Sequence, residues 1–210
     1  MLIGHVYKLV AKKISRHFDN RKVLSEIDLD LTIGQSLAIT GPNGSGKSTL
    51  IQIMLGLLRP TKGDVQWLND DGQSLTQTEF GRLVGFVSPY LSLYDQLTAE
   101  ENIKFFASVC GTNITGKKIN ELLIQMGLEG RGGDLVGEYS SGMKQRLKYA
   151  VAVLSDPPFL FFDEPTSNLD EQGQQVVIDL IEQYRSKSII VIATNETREY
   201  ELAGMRCLLG

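Results

Sequence analysis

The sequence predicts an α/β fold whose core of strands and helices is divided by an inserted, all-helical segment. Three observations predict it: apolar runs of strand length recur in both outer thirds of the chain, a glycine-rich loop follows one of them, and the apolar spacing between them turns helical. Ile27, Leu29 and Leu31 fall at period two, as in a half-buried strand, and Gly34 marks a turn before the run Ser36-Leu37-Ala38-Ile39-Thr40. Val65–Leu68 and Leu83–Val87 carry further strand signals. From Thr98 onward Ile103, Phe106, Ala107 and Cys110 share one helical face, and Ile119, Leu122, Leu123 and Met126 share another. Glycine-rich Gly130-Arg131-Gly132-Gly133 follows, and a further helix begins near Gly142. Strand signals resume at Phe159–Phe162 and Ile189–Ala193, joined by an amphipathic helix bearing Val176, Val177, Leu180, Ile181 and Tyr184. The expected division is an α/β core at 1–89 and 156–210 with a helical subdomain at 90–155, all within one domain over 1–210. Repeats, charge blocks and low-complexity tracts are absent.

Composition narrows the class. A chain of 210 residues with 42% hydrophobic residues can bury one sizeable core. Its longest apolar stretches, such as Ile189-Ile190-Val191-Ile192-Ala193, have the length of a strand, not of a membrane span, so the expectation is a soluble or peripheral polypeptide. Met1 to Val10 lacks the apolar region of a signal peptide and Lys12-Lys13 follow closely, which makes the cytoplasm the expected compartment. Cys110 and Cys207 have no metal-binding spacing and read as idle thiols. A net charge of −4 with scattered Lys and Arg argues against a broad nucleic-acid surface.

Chemistry concentrates at two places. Gly41-Pro42-Asn43-Gly44-Ser45-Gly46-Lys47-Ser48-Thr49 satisfies the G-x-x-x-x-G-K-[ST] pattern directly after an apolar run. Glycines let successive backbone N–H groups converge on phosphate oxygens, and the helix opening at Lys47 adds its positive dipole end. Lys47 supplies a charge for β- and γ-phosphates, Ser48 a hydroxyl for Mg²⁺, and Thr49 a hydroxyl within reach of an α-phosphate. The second place is Phe159-Leu160-Phe161-Phe162-Asp163-Glu164-Pro165, an apolar strand ending in two carboxylates. Asp163 is placed to hold Mg²⁺ through water, and Glu164 to act as general base for an attacking water.

A third segment, Tyr139-Ser140-Ser141-Gly142-Met143-Lys144-Gln145-Arg146-Leu147, resembles the signature loop of the ATP-binding cassette family, with Ser140 and Gly142 matching its L-S-G-G-Q pattern. With the phosphate loop (Walker A) and acidic strand (Walker B), the resemblance covers nearly the whole chain. It implies a P-loop NTPase, RecA-like core with a mixed sheet and an inserted α-helical subdomain. It also implies a homodimer or heterodimer in which Ser140 and Gly142 bind the γ-phosphate of ATP held by the opposite subunit. Ser167-Asn168-Leu169-Asp170 looks like the family's D-loop, in which Asp170 organises contacts across the dimer. Phe18 stands where the family places an aromatic ring against adenine, with ordinary core packing as the alternative. Tyr90–Leu97 falls where the family receives a short cytoplasmic helix of a membrane subunit, again with core packing as the alternative.

Two positions depart from the family pattern. Pro89 replaces a glutamine that senses Mg²⁺ and the transporter subunit. Asn195 replaces a histidine that contacts the γ-phosphate and holds the attacking water; its amide still donates a hydrogen bond but carries no proton or charge. Pro89 ending a strand and Asn195 starting a turn are the plain alternatives. His5 and His17 read as surface side chains that replace neither group. The resemblance implies an ATPase subunit peripheral on the cytoplasmic face of a membrane, driving transport through a separate membrane-spanning polypeptide, with Glu164, Lys47 and Asn195 as the catalytic groups. Ser140-Ser141-Gly142-Met143 and the lack of a C-terminal extension are similar to export-type cassettes, including the small haem-exporter class. The alternatives are a soluble cassette acting on ribosomes or Fe–S assembly, and a slow-turnover nucleotide-dependent regulator.

Overall fold

The strands form two sheets, and only the three central strands of one of them are buried on both faces. The computed structural model describes residues 7–19, 21–167 and 169–210, so His5 and Asn168 lie outside the described residues. In chain order the first half contains β1 (Lys8–Phe18), β2 (Arg21–Thr32), β3 (Ser36–Thr40), α1 (Lys47–Met54), β4 (Lys62–Leu68), α2 (Gln77–Arg82) and β5 (Val84–Val87). Three helices follow: α3 (Ala99–Val109), α4 (Gly116–Gln125) and α5 (Ser141–Val153). The chain then forms β6 (Phe159–Asp163), α6 (Glu171–Tyr184), β7 (Ile189–Ala193), α7 (Thr197–Tyr200) and β8 (Met205–Leu208). β2, β1 and β4 make an antiparallel sheet, and β5, β6, β7, β3 and β8 make a parallel one in that order.

All five residues of β3, of β6 and of β7 are buried, as expected for parallel strands covered on both sides. Their side chains alternate between two cores. Phe159, Phe161, Ile189 and Val191 pack with α1 and the antiparallel sheet, whereas Leu160, Phe162, Ile190 and Ile192 pack with α3 to α6. Register then aligns the strand ends, because Ile39 sits opposite Ala193 and Ala193 opposite Asp163.

The helical segment is tied down by caps and by one fully buried amide. Thr98 accepts from the Glu101 N–H while the Glu101 carboxylate accepts from the Thr98 N–H, a capping box that starts α3. Asn102 accepts from the Tyr94 N–H at 2.9 Å and donates to the carbonyls of Tyr94 and Thr98 at 3.0 Å each, which fixes the loop before α3. Asp156 accepts from Tyr184 Oη at 2.6 Å and from Lys118 Nζ at 3.1 Å, joining α4 to α6. Burial pushes this carboxyl up, but those two partners outweigh it and leave it below the usual carboxylate range. α5 lies directly on the sheet, with the Tyr149 ring 5.7 Å from that of Phe162.

Some elements carry no sequence signal. α2 buries a single apolar residue, Phe80, so it shows no helical periodicity, and β8 is an edge strand with Met205 and Leu208 exposed. His17, expected at the surface, is half-buried in β1 opposite Lys22, and its backbone N–H donates to the Thr61 hydroxyl at 3.0 Å. Cys110 and Cys207 are unpaired, and burial pushes both thiols up. Among the described residues no helix is long and apolar enough to cross a membrane.

The tight seam between β5 and α5 is testable. A methyl on Gly85 would collide with the carbonyl oxygen of Ala152, whereas one on Gly81 would meet nothing. Gly85→Ala is expected to destabilise the protein by about 1–3 kcal/mol in urea unfolding, and Gly81→Ala to leave the midpoint unchanged or slightly raised. Equal midpoints for the two variants would refute the seam.

Candidate functional site

The carboxyl ends of β3, β6 and β7 open into one cleft. β3 delivers the chain to Gly41 and Gly46, which have φ of 146° and 102°, values that side-chain-bearing residues rarely adopt. A Cβ on Gly41 would lie 2.8 Å from Ser45 Oγ, and one on Gly46 would lie 2.7 Å from Val23 Cγ1, so the loop's path depends on both. Gly46 precedes α1 without a side-chain cap, which leaves the helix's first amides to a ligand. Lys47, 6% exposed, donates to the carbonyls of Gly41 at 2.9 Å and Pro42 at 3.4 Å, so its ammonium lies across the mouth of the loop. Asn43, Gly44, Gly46, Lys47, Ser48 and Thr49 line the cleft together with Glu164.

Asp163 is 4% exposed at the end of β6. Burial pushes its carboxyl up, and the Ser48 hydrogen bond and Lys47 charge only partly offset that, with Glu164 adding to the rise. Its buried Oδ1 has no hydrogen-bond partner. A hard cation suits this donor set, since one hydroxyl and one carboxylate stand together and one buried oxygen has its lone pairs free. Glu164 follows with φ of 52°, and its N–H donates to the Ala193 carbonyl at 2.9 Å. This left-handed turn of a non-glycine residue directs the side chain into the wall between the phosphate loop and a second cavity containing Thr166, Thr194 and Asn195.

Asn195 follows β7 and donates from Nδ2 to Oδ1 of Asn43 at 2.8 Å, so its amide reads the phosphate loop directly. Phe18, 43% exposed, borders the cleft with the Arg16 guanidinium 4.4 Å from its ring centre; core packing does not describe it. Ser140 caps α5 by accepting from the Met143 N–H at 3.2 Å, and neither it nor Gly142 lines the phosphate-loop cleft. Pro89 is exposed beyond β5 and lines a separate cavity with Leu91, Leu93, Asp95, Lys144 and Lys148. Asp170 caps α6 by accepting from the Gly173 N–H at 2.8 Å.

Sequence reasoning misses two side chains behind the cleft, Tyr149 and Glu199. Tyr149 donates to the Pro165 carbonyl at 2.6 Å. Glu199 accepts from the Thr166 N–H at 2.8 Å and, through a short contact, from the Thr166 hydroxyl. Burial pushes the Glu199 carboxyl up, and the hydroxyls of Thr166 and Thr194 hold back part of that rise. Nothing in the polar run Asn195-Glu196-Thr197-Arg198-Glu199 distinguishes a buried glutamate from a solvated turn.

A glycine-rich loop joining a central parallel strand to a helix, with a buried aspartate on the next strand but one, defines a P-loop nucleotide-binding core. Residues 24–167 match the ABC transporter family. The uncharacterised ABC transporter ATP-binding protein YxlF of Bacillus subtilis is 31% identical over 195 residues, which are 92% of this chain and 64% of that relative. This chain thus spans under two thirds of the length of that relative. The lipoprotein-releasing system ATP-binding protein LolD of Psychrobacter arcticus is 33% identical over 217 residues, 96% of this chain and 95% of the relative. The dimeric structure of MJ0796, a bacterial ABC transporter cassette, superposes with a TM-score of 0.80 at 25% identity, covering 96% of this chain and 94% of that one. The chain belongs to the ABC transporter family, as an ATP-binding cassette.

Lys47→Ala is expected to weaken ATP binding by about 1.5–3 kcal/mol, the value of one charge-assisted contact. Calorimetric titration of nucleotide checks this, and unchanged affinity would show that backbone amides alone hold the phosphates.

Proposed function

We propose that the chain is the ATP-hydrolysing subunit of a membrane transporter, working as one of two paired cassettes and driving a separate membrane-spanning polypeptide. The observation that carries this reading is the convergence of Lys47, Ser48, Asp163 and Glu164 on one cleft, while Ser140 and Gly142 stand apart at the start of α5. Phosphates fit the uncapped turn of α1 and the Lys47 ammonium. Ser48 and the unpaired Asp163 oxygen would hold Mg²⁺, which neutralises phosphate charge when bound. Glu164 takes the proton of the attacking water from its exposed position on the cleft wall. Asn195 supplies a neutral donor held in place by Asn43. Phe18 and Arg16 offer a flat, cationic surface for the base.

Ser140 and Gly142 do not face their own phosphate loop, so in this reading they serve the nucleotide of a second cassette, homologous or identical. A membrane subunit meets the cavity of Pro89, Leu91, Leu93 and Asp95, beside Tyr90, which is 82% exposed. In this reading the protein works on the cytoplasmic face of a membrane, as a peripheral subunit. A slow-turnover cassette is the second reading, favoured by Pro89, which has no ligating side chain, and by Asn195, whose amide is engaged by Asn43.

Glu164→Gln is expected to lower turnover by about 10²–10⁴-fold, the usual contribution of a general base, and to accumulate an ATP-bound dimer in light scattering. A monomer at saturating ATP that hydrolyses normally removes both the base and the paired-cassette reading. Asn195→His is expected to raise turnover, and a further Pro89→Gln to raise it again, within the roughly hundred- to thousand-fold span that one transition-state donor controls. A brisk wild-type rate that neither replacement improves would overturn the slow-turnover reading.

A further inference from the structure

α7 is a four-residue helix in which Glu199 is the one buried side chain, at 2% exposure, while Asn195 to Arg198 are exposed. A turn that needed only to cover the core would bury an apolar residue there, because a desolvated carboxylate is costly unless hydrogen bonds compensate it. Compensation comes from one place above all. The carboxylate accepts from both the N–H and the hydroxyl of Thr166, two residues beyond Glu164. Both of those bonds fall on Oε1, while the buried Oε2 has no hydrogen-bond partner among the described residues; α7 itself follows directly on Asn195 and is tied to the end of β7 by the Glu196 N–H, which donates to the Thr194 hydroxyl at 2.8 Å. The residue between Glu164 and Thr166 is also held, since Tyr149 of α5 donates to the Pro165 carbonyl.

We propose that Glu199 is a positioning residue for hydrolysis, a buried strut that locks the segment carrying Glu164 to the segment carrying Asn195. It does not line the phosphate-loop cleft, and its effect passes through Thr166. Loss of the strut lets the two walls of the cavity move independently, and a displacement of an ångström at a reacting group costs far more in turnover than in binding. The proposal rests on Glu164 as the base, and the experiment separates the two ideas.

Steady-state hydrolysis and nucleotide titration of the full chain are measured for Glu199→Ala, Glu199→Gln, Glu164→Gln and the Glu199→Ala/Glu164→Gln pair. Glu199→Ala is expected to lower kcat about ten- to a hundred-fold with KM and ATP affinity within about twofold of wild type. Glu199→Gln keeps the accepting oxygen for Thr166 and is expected to retain at least about a third of kcat, since the hydrogen bonds and not the charge do the positioning. In the pair, Glu199→Ala is expected to add less than about twofold to the loss from Glu164→Gln, because groups acting as a unit are non-additive. Wild-type kcat in Glu199→Ala, a Gln variant as slow as the Ala variant, or fully additive losses would each overturn the proposal. A normal rate in Glu164→Gln instead overturns the base assignment, whatever Glu199 does. If Glu199→Ala yields no folded protein, Thr166→Val removes the hydroxyl from the other partner. A fall in kcat alone in that variant supports the strut, and an unchanged kcat overturns it.

Discussion

Burial of β3, β6 and β7 on both faces is the constraint from which the site follows. A one-residue slip of β6 would move Phe159 and Phe161 into the helical core and Leu160 and Phe162 into the opposite one, so register is held by two packed clusters at once. With register held, Ile39, Ala193 and Asp163 stand in one row across the sheet. The site begins at Asp163 in that row and continues immediately beyond it: Gly41, Thr194 and Glu164 are the first or second residues after it. The apolar interior therefore sets the spacing of phosphate loop, carboxylates and amide without any contact among them being strong.

How much of this is legible in the chain depends on how local each signal is. The phosphate loop and the acidic strand end are contiguous, and their chemistry survives without knowledge of the fold. β6 and β7 show as near-continuous apolar runs, and α3, α4 and α6 show by period. α2 and β8 escape because they bury little, and pattern reading detects burial. The Asn43–Asn195 pair spans most of the chain in sequence, so only the strand order brings the two amides together. Glu199 escapes for the opposite reason: its neighbours are polar and exposed, and its burial arises wholly from tertiary packing.

Electrostatics in the cleft are balanced by neutral groups more than by pairs. Lys47 and Asp163 are both buried and each lowers the cost of the other, yet the Asp163 carboxyl still lies above its ordinary range, so burial outweighs the lysine's help. A histidine in place of Asn195 would bring a titratable group to a site already holding one lysine and two carboxylates. The amide keeps a donor there without adding charge, and Asn43 gives it a partner that fixes which end points inward.

α5 connects the remaining parts. Its 13 residues span about 20 Å at the usual helical rise. At its start Ser140 orders the first turn, and within the next turn Lys144 pairs with Asp95 at 2.8 Å, beside the cavity of Pro89 and Leu93. Farther along, Tyr149 holds the residue after Glu164, and at the end the carbonyl of Ala152 leaves room only for a glycine on β5. A helix gripped this closely transmits displacement as a rigid body. Contacts at the Asp95 cavity, the Ser140 turn and the Glu164 wall are therefore made by one helix. Glu199 holds the far side of the same wall through Thr166.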